Sequence, residues 1–191
     1  MGKQLIDKSM IRTIKYFKNH TTLHFAIGYT LAMFLYVKFI FIPFSRCFTL
    51  DVGTNSLGLS FYYTIDMVQN FFESRTHGQL LCYRKFLQIW DTIFAFIYTL
   101  MYASWIIYFF KNKRLFLIIP VLSMVADWTE NYVELLMLET YLNSSPISET
   151  LVLLGSGINS FKWLSSILTY LIILIGIMST LKIFLTKPKL H

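Results

Sequence analysis

The sequence predicts an all-α, polytopic membrane protein, a bundle of four transmembrane helices with a helical first outer loop. Three observations predict it. Hydrophobic residues fill 55% of the 191 positions and charged residues only 14%, where a soluble domain carries roughly 25% charged. Apolar runs of about 20 residues, enough to cross a bilayer core, recur along the chain. Lys and Arg collect in short segments between those runs, on alternate sides. No polar stretch is long enough for a separate soluble domain, so the chain reads as one membrane domain.

The elements follow in order. Segment 1–22 carries Lys3, Lys8, Arg12, Lys15 and Lys18, while Ile6, Met10, Ile14 and Phe17 share a helical face. That pattern suits an amphipathic helix lying on the cytoplasmic surface. The first span is 24–44, interrupted by Lys38. The outer loop, 45–89, is too long for a bare connector. In it Tyr62, Ile65, Val68 and Phe72 repeat at helical spacing, Gly78 breaks the pattern, and 80–88 runs towards the second span. The expectation is a surface helix, a turn, and a helix entering the membrane. The second span is 90–110 and the third 115–138, joined by the basic loop Lys111-Asn112-Lys113-Arg114. The fourth is 163–185, preceded by a small-residue turn at Gly155-Ser156-Gly157 and followed by Lys187 and Lys189. The loop after the third span holds Glu139 and Glu149 and almost nothing basic. The positive-inside rule then puts both termini and the 111–114 loop in the cytoplasm, in a plasma or inner membrane. The first apolar run is too long for a cleaved signal peptide, and no cleavage site follows it.

The third span carries the polar centre. Asp127, Glu130, Asn131 and Glu134 recur at i, i+3, i+4 and i+7, on one helical face. A carboxylate at membrane depth costs roughly 2.5–3.5 kcal/mol on insertion scales, so it normally faces protein or water and marks a functional site. At 1.5 Å per residue, Lys38 lies about 21 Å from the cytoplasmic boundary, Asp127 about 18 Å and Glu130 about 22 Å. Lys38 facing Asp127 or Glu130 is therefore the first expected contact. Asp91 lies near the outer mouth of the second span, with Phe94 and Tyr98 along the same side, and Tyr98 is placed to donate to a carboxylate on the third span. Glu134 and Glu139 read as solvated at the outer end. The functional reading is a polar pocket open to the outer face, formed by Lys38, Asp91, Tyr98, Asp127, Glu130 and Asn131. The competing reading is an ion-paired network that locks helix register, although polar pairs inside bilayers contribute only about 0.6 kcal/mol on average.

The two cysteines, Cys47 and Cys82, both fall in the outer loop, on the oxidising side of a bacterial or secretory membrane. A disulfide and two separate thiols both fit. The chain lacks C-x-x-C, H-E-x-x-H, G-x-S-x-G and any Walker-type loop, which removes the signatures of dithiol redox, zinc proteolysis, serine hydrolysis and nucleotide binding. His20, His24, His77 and His191 lie away from the span centres, so no haem-ligating pair is expected. No metal and no cofactor are expected, and nucleic acid is not an expected partner because no soluble module carries a basic face. Asn143-Ser144-Ser145 is a glycosylation acceptor on the outer side.

These residues resemble a group of small, mainly bacterial four-helix membrane proteins of uncharacterised activity. Asp91, Phe94 and Tyr98 match its D-x-x-F-x-x-x-Y element, and Asp127, Glu130 and Asn131 its D-x-x-E-N element. Pro120 fits the pattern as well. The group carries a Gly-Arg pair before a tyrosine in the outer loop. Here Gly78 is followed by Gln79, and Tyr83 is displaced by one residue, leaving Arg75 or Arg84 as substitutes for that arginine. The resemblance implies that Asp91, Tyr98, Asp127, Glu130 and Asn131 belong to one constellation, and it supplies no activity. Three function classes fit: binding or transport of a lipid head group, small amphiphile or proton; a non-catalytic subunit of a membrane complex; and an enzyme acting on a lipid-soluble substrate. Expected partners are the lipid bilayer, a second copy of the chain, or another membrane protein.

Overall fold

A computed structural model describes residues 22–50, 56–111 and 113–186. The expected amphipathic helix within 1–22 lies outside them, apart from Thr22. Five helices form the described chain: α1 (Thr22–Ser45), α2 (Ile65–Glu73), α3 (His77–Phe110), α4 (Ile118–Leu142) and α5 (Glu149–Thr186). Among the described residues there is no strand.

Three of the helices, α1, α3 and α5, are long and apolar enough to cross a membrane. Their outward side chains are apolar as well: Phe34, Phe39, Leu164, Leu171, Ile175 and Met178 are all largely exposed. A soluble protein rarely presents apolar surface on that scale. α4 spans 25 residues, or about 37 Å, and is long enough too, but Asp127, Glu130, Glu134 and Glu139 set it apart from the other three in composition.

Two of the helices contain a wide π-turn. In α1 it covers Val37–Phe41, directly before Pro43. Proline has no N–H to give to the carbonyl four residues back and its ring collides with that carbonyl, so a widened turn accommodates it. In α3 the wide turn covers Phe86–Asp91. The two turns face each other. Phe41 packs on Phe86 and Phe94, Phe44 stacks on Trp90, and the Tyr36 hydroxyl donates to the Trp90 carbonyl at 2.8 Å. A Cys47–Cys82 disulfide, with Cα atoms 6.2 Å apart, ties the end of α1 to α3 beside them.

The described residues of the 45–89 segment hold two α-helical pieces, α2 and the start of α3. Thr64 caps α2 by accepting from the Met67 N–H at 3.3 Å, and Val68, Phe71 and Phe72 are buried. α3 opens with a capping box: Thr76 Oγ1 accepts from the Gln79 N–H at 3.3 Å and Gln79 Oε1 from the Thr76 N–H at 2.9 Å. The chain therefore turns at Ser74–Thr76, and Gly78 lies inside the helix. Arg75 is buried in that turn. Its Nε donates to the Phe48 carbonyl at 2.8 Å and its Nη1 to the Phe71 carbonyl at 2.7 Å. Burial lowers its pKa, opposed by Tyr83.

The small-residue stretch Gly155-Ser156-Gly157 is not a turn. α5 runs through it, 38 residues without interruption. Gly155 is small for a packing reason. A Cβ there would collide with the Tyr63 hydroxyl and lie 2.8 Å from Val133 Cγ1, so its absence lets α4 and the Tyr63 segment close against α5. The main apolar cluster lies at this end of the molecule, built on Phe48, Leu57, Tyr63, Phe72, Tyr83 and Met137. A smaller one around Ala95, Tyr98, Met101 and Tyr102 lies further along α3.

Candidate functional site

α4 is sided in the opposite sense to a soluble helix. Val121, Val125, Trp128, Tyr132 and Leu136 point outward and are exposed, whereas Ser123, Asp127, Glu130, Asn131 and Glu134 point inward and are buried. Glu130 and Glu134 are 0% exposed and Asp127 5%. Carboxylates so enclosed need a cation or hydrogen-bond donors.

The cation is Lys162 of α5, not Lys38. Lys162 Nζ donates to Glu130 Oε2, lies 3.3 Å from Asp127 Oδ1, and donates to the Gly58 carbonyl at 3.3 Å. Lys38 is exposed, with its ammonium 5.5 Å from the Phe39 ring centroid. It projects outward because α1 meets the bundle through Tyr36 and Phe41 instead.

Tyr98 donates to Asp127 Oδ2 at 2.9 Å, one of the α4 carboxylates among which a partner for it was expected. Glu134, expected to be solvated, is enclosed and accepts from the Tyr83 hydroxyl. Glu139 is partly exposed and pairs with Arg84 at 2.9 Å. Both arginines offered as substitutes for the missing Gly-Arg pair are thus engaged away from the carboxylate cluster, and Gln79 serves as a helix cap.

A short segment covers the ion pairs. Leu57–Leu59 forms a 3-10 turn, and the Gly58 carbonyl accepts from both Lys162 and Trp163 Nε1, the latter at 3.1 Å. Asn159 Nδ2 holds the Ser60 carbonyl at 2.6 Å. A Cβ at Gly58 would lie 2.9 Å from Glu130 Oε1 and 3.3 Å from Lys162 Nζ, so only glycine lets the backbone lie directly over the pair. Beside it Tyr63 is buried, and its N–H donates to Ser156 Oγ at 3.0 Å. Burial, then the Glu134 and Glu130 charges, raise the Tyr63 pKa, which keeps the phenol neutral.

Below this cover lies a cavity of about 510 Å³. Its polar floor is Asp91, Tyr98, Asp127, Asn131, Lys162 and Ser166; its walls are largely aromatic, with Phe41, Phe86, Phe94, Tyr102, Trp163 and Tyr170. Both π-turns contribute lining, through Phe41, Phe86 and Asp91. Of the residues predicted for the site, Asp91, Tyr98, Asp127 and Asn131 line the cavity, Glu130 lies behind Lys162, and Lys38 takes no part. Sequence reasoning missed Lys162, Gly58, Trp163 and the Tyr83–Glu134 bond. A signal for Lys162 was present: Ser156, Asn159, Lys162, Ser166 and Thr169 form a polar stripe at helical spacing along α5.

A concave, mainly apolar space with a few convergent polar groups is the usual form of a small-ligand site. Among the described residues, no three His, Cys, Asp or Glu side chains are grouped so as to hold a metal ion. Comparison with known proteins yields no match: no family model fits the chain, and neither a curated protein nor a solved structure matches it.

Proposed function

We propose that this chain is a four-span membrane protein whose cavity, on the outer side of the bundle, binds or carries a small amphiphile or a lipid by its head group. The observation that carries the reading is the cavity itself: a carboxylate- and lysine-bearing floor under aromatic walls, enclosed by helices with apolar exteriors. An amphiphile has the same division. Ile42 and Tyr170 line the cavity yet are 45% and 53% exposed. In this reading they mark an opening on the flank between α1 and α5, where a molecule dissolved in the bilayer would enter.

Two features support the orientation. The basic 111–114 segment lies at one end of α3 and the Cys47–Cys82 bridge near the other. A disulfide persists in an oxidising compartment, and basic loops stay in the cytoplasm. The apolar outward face of α4 supports a fourth crossing with its acids turned inward. The resemblance to small four-helix membrane proteins belongs to the same reading, since Asp91, Tyr98, Asp127 and Asn131 share one cavity.

Native mass spectrometry of the purified protein tests the proposal. A retained small molecule or lipid is expected, and Met33→Trp, which fills the cavity from α1, should abolish the adduct while the protein stays monodisperse. An adduct unchanged by that substitution, or no adduct with any lipid supplied, overturns the reading.

A further inference from the structure

We infer that the cavity selects a cationic head group, an ammonium on an apolar body, seated against Asp91 among aromatic rings. The inference rests on the ligand-cavity reading above and names the class of ligand. Its basis is an account of which donors and acceptors on the floor are already used.

A lysine ammonium has three N–H donors and no acceptor. Lys162 gives two of them to Glu130 and the Gly58 carbonyl and lies 3.3 Å from Asp127 Oδ1, so its charge is already met by two carboxylates, although it lines the cavity. Most other donors of the floor are engaged too, the exception being Asn131 Nδ2, which is buried with no hydrogen-bond partner among the described residues. Tyr98 gives its hydroxyl proton to Asp127, Trp163 its N–H to Gly58, and the Ser166 hydroxyl bonds to that of Ser123 at 2.8 Å. Arg46 is the remaining basic residue of the lining, and it is exposed. An anionic head on this floor would meet two carboxylates, Asp91 and Asp127, and against them the Asn131 amide and the Arg46 guanidinium at the exposed edge. Lys162 is a clasp that closes α4 onto α5 and the Gly58 turn, and it is not a handle for ligand.

Asp91 is in the opposite condition. It lines the cavity, keeps partial exposure, and among the described residues forms no ion pair with a basic side chain. Eight aromatic side chains line the cavity with it, among them Phe94, Tyr98, Tyr102, Trp163 and Tyr170. Aromatic faces attract a cation, more strongly when water is excluded, and grouped rings are the common recognition device for quaternary ammonium. A carboxylate outside ion-pair contact with any described basic side chain, within an aromatic enclosure of this size, is complementary to an amine. The ammonium has two sources, the head group of a zwitterionic lipid or a free amphiphilic amine.

The test uses the full chain in dodecyl maltoside, with binding read by native mass spectrometry. Three probes share one tail length: dodecyltrimethylammonium, dodecyl phosphate and dodecanol. One dodecyltrimethylammonium should bind saturably, at least tenfold tighter than the other two, and Asp91→Asn should weaken it tenfold or more. Phe94→Leu, which removes a ring and leaves the polar floor intact, should weaken it several-fold. Displacement by phosphatidylethanolamine identifies the lipid head group as the source; displacement by dodecylamine alone identifies a free amine. Equal binding of the phosphate or the alcohol to the unmodified protein overturns the inference and leaves the ligand cavity standing. Binding of none of the three overturns both. Selectivity of the unmodified chain decides the matter even if a variant fails to fold.

Discussion

Lys162 holds two enclosed carboxylates that Lys38 does not reach. Removing one partner of a buried ion pair leaves uncompensated charge and typically costs about 3–5 kcal/mol. Lys162→Met should therefore lower thermal stability sharply, while Lys38→Met, at an exposed position, should leave it nearly unchanged. Melting followed by intrinsic fluorescence in mild detergent measures both, and equal effects would show that the pairing is wrong. The contrast also shows which residues could be read in advance. Asp127, Glu130, Asn131 and Glu134 declare themselves because one helix face collects them within a single short run. Their cation lies on a different helix, and nothing local links the two. Depth arithmetic chose Lys38 because it reads height along a helix and takes no account of the side of the helix a residue occupies. Lys162 was hidden by its position just outside the span predicted to start at residue 163.

The turn expected before that span is an error at the scale of the element. Gly155-Ser156-Gly157 carries turn-like composition, yet α5 continues through it. Glycine marks a turn when the backbone needs unusual dihedrals, and it marks a helix contact when a neighbour needs the space. Composition alone does not separate the two. Here the second applies, because Tyr63 and Val133 occupy the volume a side chain at Gly155 would take. Gly155→Leu should force α4 and the Tyr63 segment away from α5, with an overpacking cost of about 1–3 kcal/mol or more. Gly157→Leu is the control, since nothing lies within 4 Å of its added Cβ. A fall in melting temperature for the first and not the second is the expected result. By contrast, the division of 65–89 into a short helix and a longer one entering α3 was legible, because Ile65, Val68 and Phe72 repeat at helical spacing and Gly78 follows them. The turn itself falls before Gly78, at the capped Thr76.

For the whole molecule, the open quantity is the number of crossings, and it turns on α4. With only α1, α3 and α5 in the membrane, the chain on either side of α4 stays in one compartment. With α4 crossing as well, residues 113 and 145 lie in opposite compartments. The energetic argument favours crossing. The acids of α4 face Lys162, Tyr98 and Tyr83, so hydrocarbon would meet Val121, Val125, Trp128 and Tyr132 instead. Turned this way, the helix leaves no bare carboxylate for lipid to solvate, which removes most of the cost that depresses its hydropathy. In the proposed orientation, which rests on the positive-inside rule, Lys111, Lys113 and Arg114 lie in the cytoplasm. A single cysteine in place of Lys113, and separately one in place of Ser145, should react oppositely with a membrane-impermeant maleimide added to intact cells, once Cys47 and Cys82 have been replaced by serine. Position 145 is expected to be modified from outside and position 113 only after permeabilisation. Modification of both from the same side would leave α4 outside the bilayer. The inward acids would then sit at a membrane surface, and the case for a cavity sealed from water on that side would fall with them.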